Sequence, residues 1–462
     1  YHWNVLRVGD ANDLQLIENA LAVFRATKGR PTLIILDSHI GYGSPHRVDT
    51  SAAHGEPLGP EEVKLTKRAY GWPEDAKFLV PDGVYQHFND GIGRRGAEAR
   101  TQWEKLFAAY RAEFPALATE VEQMQRRELP EGWDRNLPSF AADPKGIAGR
   151  DASGTVLNVL AQNIPWFLGG SADLGSSNRT ALKFDGAGDF EAGAPAGRNL
   201  HFGVREHAMA AIVNGMSLSK VRAFGATFFI FSDYARPAIR LSALMEIPTI
   251  MVFTHDAMGD GEDGPTHQPV EQLISLRAVP GLVLLRPGDA NEVVEAYRTI
   301  MQLRHQPAAI VLSRQPLPTF DRSKYASAAG VARGAYVMAD APGGSPEIIL
   351  IATGSEVSLV IDAHETLLTQ GIRSRVVSMP SWDIFEHQPQ SYRDSVLPPK
   401  VTARIAIEQA SALGWERYVG GAGQVIAMKT FGGSAPLKEL QKKFGFQPER
   451  IVAAAREMLG RD

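Results

Sequence analysis

Cysteine is absent from this 462-residue chain. That excludes disulfides, thiolate metal sites and a cysteine nucleophile. No apolar run approaches the ~20 residues of a membrane-spanning helix. A dominant charge is missing too: 48 Lys and Arg against 52 Asp and Glu leave a net charge of −4. No global attraction to nucleic acid or to an anionic membrane is therefore expected. Short repeats and low-complexity tracts are lacking. The opening, YHWNVLRVGDAND, has neither an initiator Met nor the basic-then-apolar layout of a signal peptide, and reads as the inside of a domain. A cytoplasmic location is the expectation that suits these absences.

What is present is strand–helix alternation over a length that predicts about three domains. PTLIILD (31–37) follows a helical spacing of Leu14, Ile17, Leu21 and Phe24, an α–β step. A Gly/Ser/His-rich loop, HIGYGSPHRVDTSAAHGEPLGPEEV, comes next. Residues 95–128 carry helical periodicity, and ELPEGWDRNLPS has the punctuation of a linker. From about 147, WFLGGSADL, VRAFGATFF, IPTIMVFT, GLVLLRP and AAIVLSR alternate with helical stretches. This predicts a parallel sheet covered on both faces. EIILIATG, SRVVSM and ARIAIE repeat the pattern beyond about 335.

In such sheets ligands sit beyond the carboxyl ends of the strands. The richest polar segments fall there: GGSADLGSSN, HDAMGDGEDGPTHQP and LSRQ. Residues 150–320 are thus the expected half of a binding site. Glu206, in HFGVREHAM, reads by itself as a first-turn acid favoured by the helix dipole. Phe228, Phe231 and Tyr234 read by themselves as a core stripe. His255 and His267, with their acidic neighbours, lack the close His–His spacing of a helical metal site. Gly259-Asp260-Gly261, with Asn291 downstream, spells the magnesium–diphosphate motif of thiamine-diphosphate enzymes. Its context is wrong, because Asn291 opens a helix instead of ending a strand. The motif is read as a decoy and Asp260 as dispensable.

GGSADL, FGVREHAM, TFFIFSDY, THDAMGDGEDGPTHQP and LSRQ, in this order, closely resemble transketolase. So do IGYGSPHRVDTSAAHGEPLG upstream and IATGSEVSL and FGGSAPLKEL downstream. The resemblance spans essentially the whole chain. It implies an α/β thiamine-diphosphate-binding fold, a parallel sheet flanked by helices, plus a C-terminal α/β domain. The implied division is 1–115, the closing part of a pyrophosphate-binding domain; 116–146, a linker; 147–325, the pyrimidine-binding domain; and 326–462, the C-terminal domain. Most of the pyrophosphate domain is expected to be lacking, and with it the Mg²⁺ ligands, so no metal ligand is assigned here.

The resemblance further implies a homodimer with active sites between subunits, acting on sugar phosphates such as xylulose 5-phosphate and sedoheptulose 7-phosphate in the pentose phosphate pathway. It implies that Glu206 hydrogen-bonds the cofactor's pyrimidine nitrogen and favours the imino tautomer that removes the thiazolium proton. Phe228, Phe231 and Tyr234 match the aromatic pocket around that ring, and Asp173 a carboxylate lining the cofactor site. Arg150, Ser177, His255 and Arg314 match phosphate-binding positions, where guanidinium forks suit the anion. Asp263 matches the acid that reads the hydroxyl beside the acceptor aldehyde. His267 and His54 match histidines that move protons at the reacting carbons. Two alternatives stay open: a catalytically silent fragment needing an N-terminal partner, and dihydroxyacetone synthase. The GSEVSL turn reads as a bare helix start in preference to an anion site.

Overall fold

Asp13 accepts from the backbone N–H groups of Gln15 and Leu16 and so caps the helix Leu14–Ala26. In this computed structural model, which describes residues 1–461, the chain divides into two units, 1–107 and 108 onward. In the first, that helix connects β1 (Asn4–Val8) to β2 (Thr32–Leu36), which pair in parallel. This is the α–β step expected from the apolar spacing. The Gly/Ser/His-rich loop is tied to the helix Pro60–Ala69 through Glu62. Ser44 Oγ donates to that carboxylate at 2.5 Å and the His46 N–H at 2.8 Å. These bonds, led by the one from Ser44, hold the Glu62 carboxyl down at about 2.

The helical stretch expected over 95–128 forms as Arg94–Glu113 and Pro115–Gln125. Proline is costly in a helix interior but suits the first turn, and Pro115 opens the second of the two helices. The stretch 116–146 is therefore not a plain linker. It begins in a helix and ends in β3 (Asp143–Ala148).

Beyond β3 lie β4 (Phe167–Ser171), β5 (Asn199–His201), β6 (Arg222–Phe228), β7 (Ile250–Thr254), β8 (Val283–Leu285) and β9 (Ala308–Leu312). They form one sheet in the order β5-β4-β6-β7-β9-β8, and every pairing is parallel. Alternate residues face opposite cores. Phe224, Ala226, Ile250, Val252, Ile310 and Leu312 join one buried cluster with Val156, Leu160 and Tyr297 of the covering helices. Ala223, Met251, Phe253, Ala309 and Val311 join the other, with Met209, Val213 and Ile239. Burying a Phe or Leu side chain of this kind stabilises by roughly 1.5–3 kcal/mol, so both faces are held.

A short β10 (Pro316–Thr319) returns antiparallel to β3. The remaining strands are β11 (Tyr336–Ala339), β12 (Ile348–Ala352), β13 (Ser374–Ser378), β14 (Arg404–Ser411) and β15 (Gln424–Met428). They form a second sheet, β11-β13-β12-β14-β15, with β11 antiparallel to its neighbour.

Candidate active site

Parallel order brings the segments that leave β5, β4, β6, β7 and β9 to one carboxyl edge. A buried polar chain ties three of those exits together. Ser171 Oγ donates to the Ala226 carbonyl at 3.0 Å. Asn178 Nδ2 donates to Ser171 Oγ at 2.8 Å, and Thr254 Oγ1 donates to Asn178 Oδ1 at 2.7 Å. Arg150 is attached to the exit of β9, its N–H donating to the Ser313 carbonyl at 3.3 Å. Its Nη1 donates to the Ser177 carbonyl at 3.0 Å. Sequence reading missed Ser171, Asn178 and Thr254. The available signal was a cluster of small polar residues directly after strands.

β6 ends at Phe228, a single helical turn follows, and the helix Ser232–Leu244 begins. This puts the three aromatics of the stripe in a row. Phe228 and Phe231 lie 5.9 Å apart at an interplanar angle of 12°, and Phe231 and Tyr234 6.0 Å apart. Both loop histidines join them. The His255 ring lies 3.7 Å from Phe228, and His267 meets Phe231 edge-on at 5.5 Å. Phe228, Phe231, Tyr234, His255 and His267 are thus contiguous.

His255 adopts φ 62° and is buried. Burial, reinforced by Arg150 and Arg314, pushes its imidazole down to about 3. Its Nε2 faces Asp260 Oδ2 at 3.9 Å, and Arg314 Nε stands 3.7 Å from the other carboxylate oxygen. Asp260, expected to be dispensable, is therefore a buried member of this cluster. Burial and the neighbouring Asp263 push its carboxyl up. The loop seats on residues 432–435. Gln268 Nε2 bridges the carbonyls of Asp260 and Gly433 at 2.8 and 3.0 Å. A Cβ on Gly261 would stand 1.9 Å from the Ala435 carbonyl oxygen, so only glycine fits there.

Asp256 turns the other way, into a charged core. Arg286 Nη2 meets its Oδ2 at 2.7 Å and also pairs with Glu356, all three side chains being buried. Thr353 Oγ1 donates to Glu408 Oε1 at 2.6 Å, and Arg277 Nη2 donates to the same oxygen at 2.7 Å. Burial alone would raise the Glu408 carboxyl, but the arginines and the Thr353 hydroxyl hold it down at about 2. The start of the GSEVSL helix is thus taken up by a carboxylate–arginine pair.

Glu206 is the buried first residue of the helix Glu206–Leu218, beside the β5 exit. Asp173, at φ 62°, lines a cleft of about 250 Å³ with Ser171, His201 and Gly203. His54 lies in the first unit, at the end of the turn Ser51–Ala53. Asn291 is occupied: it accepts from the Phe140 N–H at 3.0 Å and donates to the Phe140 carbonyl at 2.9 Å. Among the described residues no group of three or more His, Asp or Glu is arranged to hold a metal ion.

Family models match in chain order. "Transketolase, thiamine diphosphate binding domain" covers residues 1–130, "Transketolase, pyrimidine binding domain" covers 145–319, and "Transketolase-like TK C-terminal domain" covers 334–447. A transketolase of Geobacillus stearothermophilus is 48% identical over all of this chain and 69% of its own. The chain belongs to the transketolase family. Solved structures agree. Transketolase from Leishmania mexicana is 40% identical with a TM-score of 0.90, over 99% of this chain and 67% of its own. A Pichia stipitis transketolase in complex with sedoheptulose 7-phosphate is 37% identical with a TM-score of 0.89, over the same shares. The expected family, fold and transferase class stand. One expectation is corrected: the thiamine diphosphate domain is not lacking, since residues 1–130 match it, and a missing segment cannot be invoked for the metal ligands. The opening YHWNVLRVGDAND reads as the inside of a domain, whereas a domain is recognised across its packed elements.

Proposed function

We propose that this chain supports reversible transfer of a two-carbon ketol unit from a ketose phosphate, such as xylulose 5-phosphate or sedoheptulose 7-phosphate, to an aldose phosphate in the pentose phosphate pathway. The observation that carries the reading is the contiguity of stacked aromatics, two histidines and two arginines at one sheet edge. Residues 1–115, 147–325 and 326–462 are assigned as pyrophosphate, pyrimidine and C-terminal domains.

The residues present fit the pyrimidine half of thiamine diphosphate. Phe228 and Phe231 offer near-parallel faces, and Glu206 is a buried carboxylate at a helix start on the same edge. When bound, that cofactor supplies the carbon that attacks the ketose carbonyl and takes up the electron pair of the broken C–C bond. Glu206 holds the pyrimidine nitrogen by hydrogen bonding. Phe228, Phe231 and Tyr234 clasp the ring, and Asp173 lines the pocket. Arg150, Ser177, His255 and Arg314 receive the substrate phosphate, guanidinium groups supplying paired donors. Asp263 reads the hydroxyl beside the acceptor aldehyde, while His267 and His54 move protons at the sugar oxygens. No Mg²⁺ ligand is assigned among the described residues, and no step is routed through that ion.

The helices Glu206–Leu218 and Ser232–Leu244 expose Ile212, Leu218, Leu241 and Leu244, the last at 69%. Such a patch marks an interaction surface and supports a homodimer. The decisive test of function is Glu206→Ala, which should lower turnover at saturating thiamine diphosphate by at least about a hundredfold with the melting temperature retained. Turnover near that of the parent enzyme would defeat the assignment.

A further inference from the structure

The polar chain at the exits of β4, β6 and β7 has a forced direction. The Ala226 carbonyl can only accept, so the Ser171 hydroxyl gives its proton there. Ser171 Oγ must then accept from the Asn178 amide, which orients Asn178 Oδ1 towards Thr254. The Thr254 hydroxyl proton is spent on Asn178 Oδ1 at 2.7 Å. Hence Thr254 Oγ1 can only accept from His255 Nδ1, 2.8 Å away. The neutral His255 ring carries its proton on Nδ1 and a lone pair on Nε2.

That lone pair looks across 3.9 Å at Asp260 Oδ2, a buried oxygen with no hydrogen-bond partner. Two proton acceptors therefore face each other with no donor between them. The charged and titratable groups around them are Arg150 and Arg314 on the cationic side, and Asp263 and His267 on the loop. Glu262 lies 3.6 Å from Arg314. Burial and the two arginines keep a proton off His255, and Arg314 opposes the burial and the Asp263 charge that raise the Asp260 carboxyl. An anion that neutralises the arginines would remove this repulsion and leave the gap between Nε2 and Oδ2 able to bind a proton.

We propose that His255 and Asp260 form a proton-binding pair, with Asp260 as the positioning residue, so that docking of an anion beside Arg150 and Arg314 draws one proton into the gap between Nε2 and Oδ2. This rests on the reading of Arg150, Ser177, His255 and Arg314 as the phosphate seat. Protonation turns His255 Nε2 into a donor towards the anion or towards Asp260. Phosphate-bearing substrates then bind as anion plus proton, and their affinity rises as pH falls.

Sulfate is the suitable probe, because it does not itself titrate near neutrality. Calorimetric titration at pH 8 in two buffers of different ionisation enthalpy should show uptake of about one proton per sulfate bound. Sulfate affinity should weaken approximately tenfold per pH unit above neutrality. In Asp260→Asn, whose amide donates to Nε2, uptake should vanish and the affinity should become flat in pH. Asp260→Ser reads the same way if the Asn variant fails to fold. Absence of uptake in the parent enzyme, or unchanged uptake in both variants, overturns the proposal. Arg314→Gln separates it from the underlying reading. If that variant weakens sulfate binding while the parent takes up no proton, the seat stands and the pair fails. If sulfate binding is indifferent to Arg314, the seat reading itself fails.

Discussion

Arg286 Nη2 and Asp256 Oδ2 meet at 2.7 Å with neither side chain more than 2% exposed. Asp256 directly follows His255, so this buried pair anchors the site loop to the exit of β8, and Glu356, at the start of a helix in the C-terminal domain, shares the same guanidinium. The C-terminal domain thereby helps to hold His255 in place, although it supplies none of the proposed site residues.

Removing one partner of such a network leaves buried charges uncompensated. Arg286→Met is expected to lower stability by about 3–5 kcal/mol in urea unfolding. The double variant Arg286→Met with Asp256→Leu should recover part of that loss. A loss in the single variant too small to measure would mean that the network contributes little.

His255 makes stability depend on pH with a definite sign. The unfolded chain takes up this proton near the ordinary value of 6.5, while the folded chain does so only at about 3. A lowered histidine value means that the unfolded state binds more protons across that interval. The stability His255 permits at neutral pH is therefore lost progressively as pH falls from 6.5 towards 3. His255→Gln should flatten the pH dependence of the urea midpoint over this window. An unchanged dependence would show that His255 is not held neutral in the fold.

The exposed stripe on the helices Glu206–Leu218 and Ser232–Leu244 predicts an oligomer held by apolar contact. Light scattering of the unmodified protein should give the mass of a dimer. Leu241→Asp with Leu244→Asp, which adds charge to that surface, should shift it to half that mass. A monomer before mutation would remove the homodimer reading.

Much of the architecture was legible in one dimension. Alternating helix and strand patterns announced the parallel sheet, and the polar segments after WFLGGS, IPTIMVFT and AAIVLS announced its functional edge. Phe228, Phe231 and Tyr234 were legible as a unit because a three-residue spacing survives the passage from strand end to helix start. The roles of Asp256 and Asp260 were not legible. They sit in one acidic loop, four residues apart in number, yet one faces Arg286 and the other His255. Chain position cannot say which way a loop carboxylate turns.

By itself, then, the sequence determined the layered α/β plan, the family and the inventory of chemical groups, because periodicity and local wording are properties of the chain. Only the tertiary structure decided which of those groups are buried together. It decided that Asn291 is spent on the backbone of Phe140, that Glu356 closes a helix start by pairing with Arg286, and that Ser171, Asn178 and Thr254 set the tautomer of His255. Each of these depends on contacts between segments far apart in sequence. Their energies come from desolvation and hydrogen-bond direction, which exist only once the chain has folded.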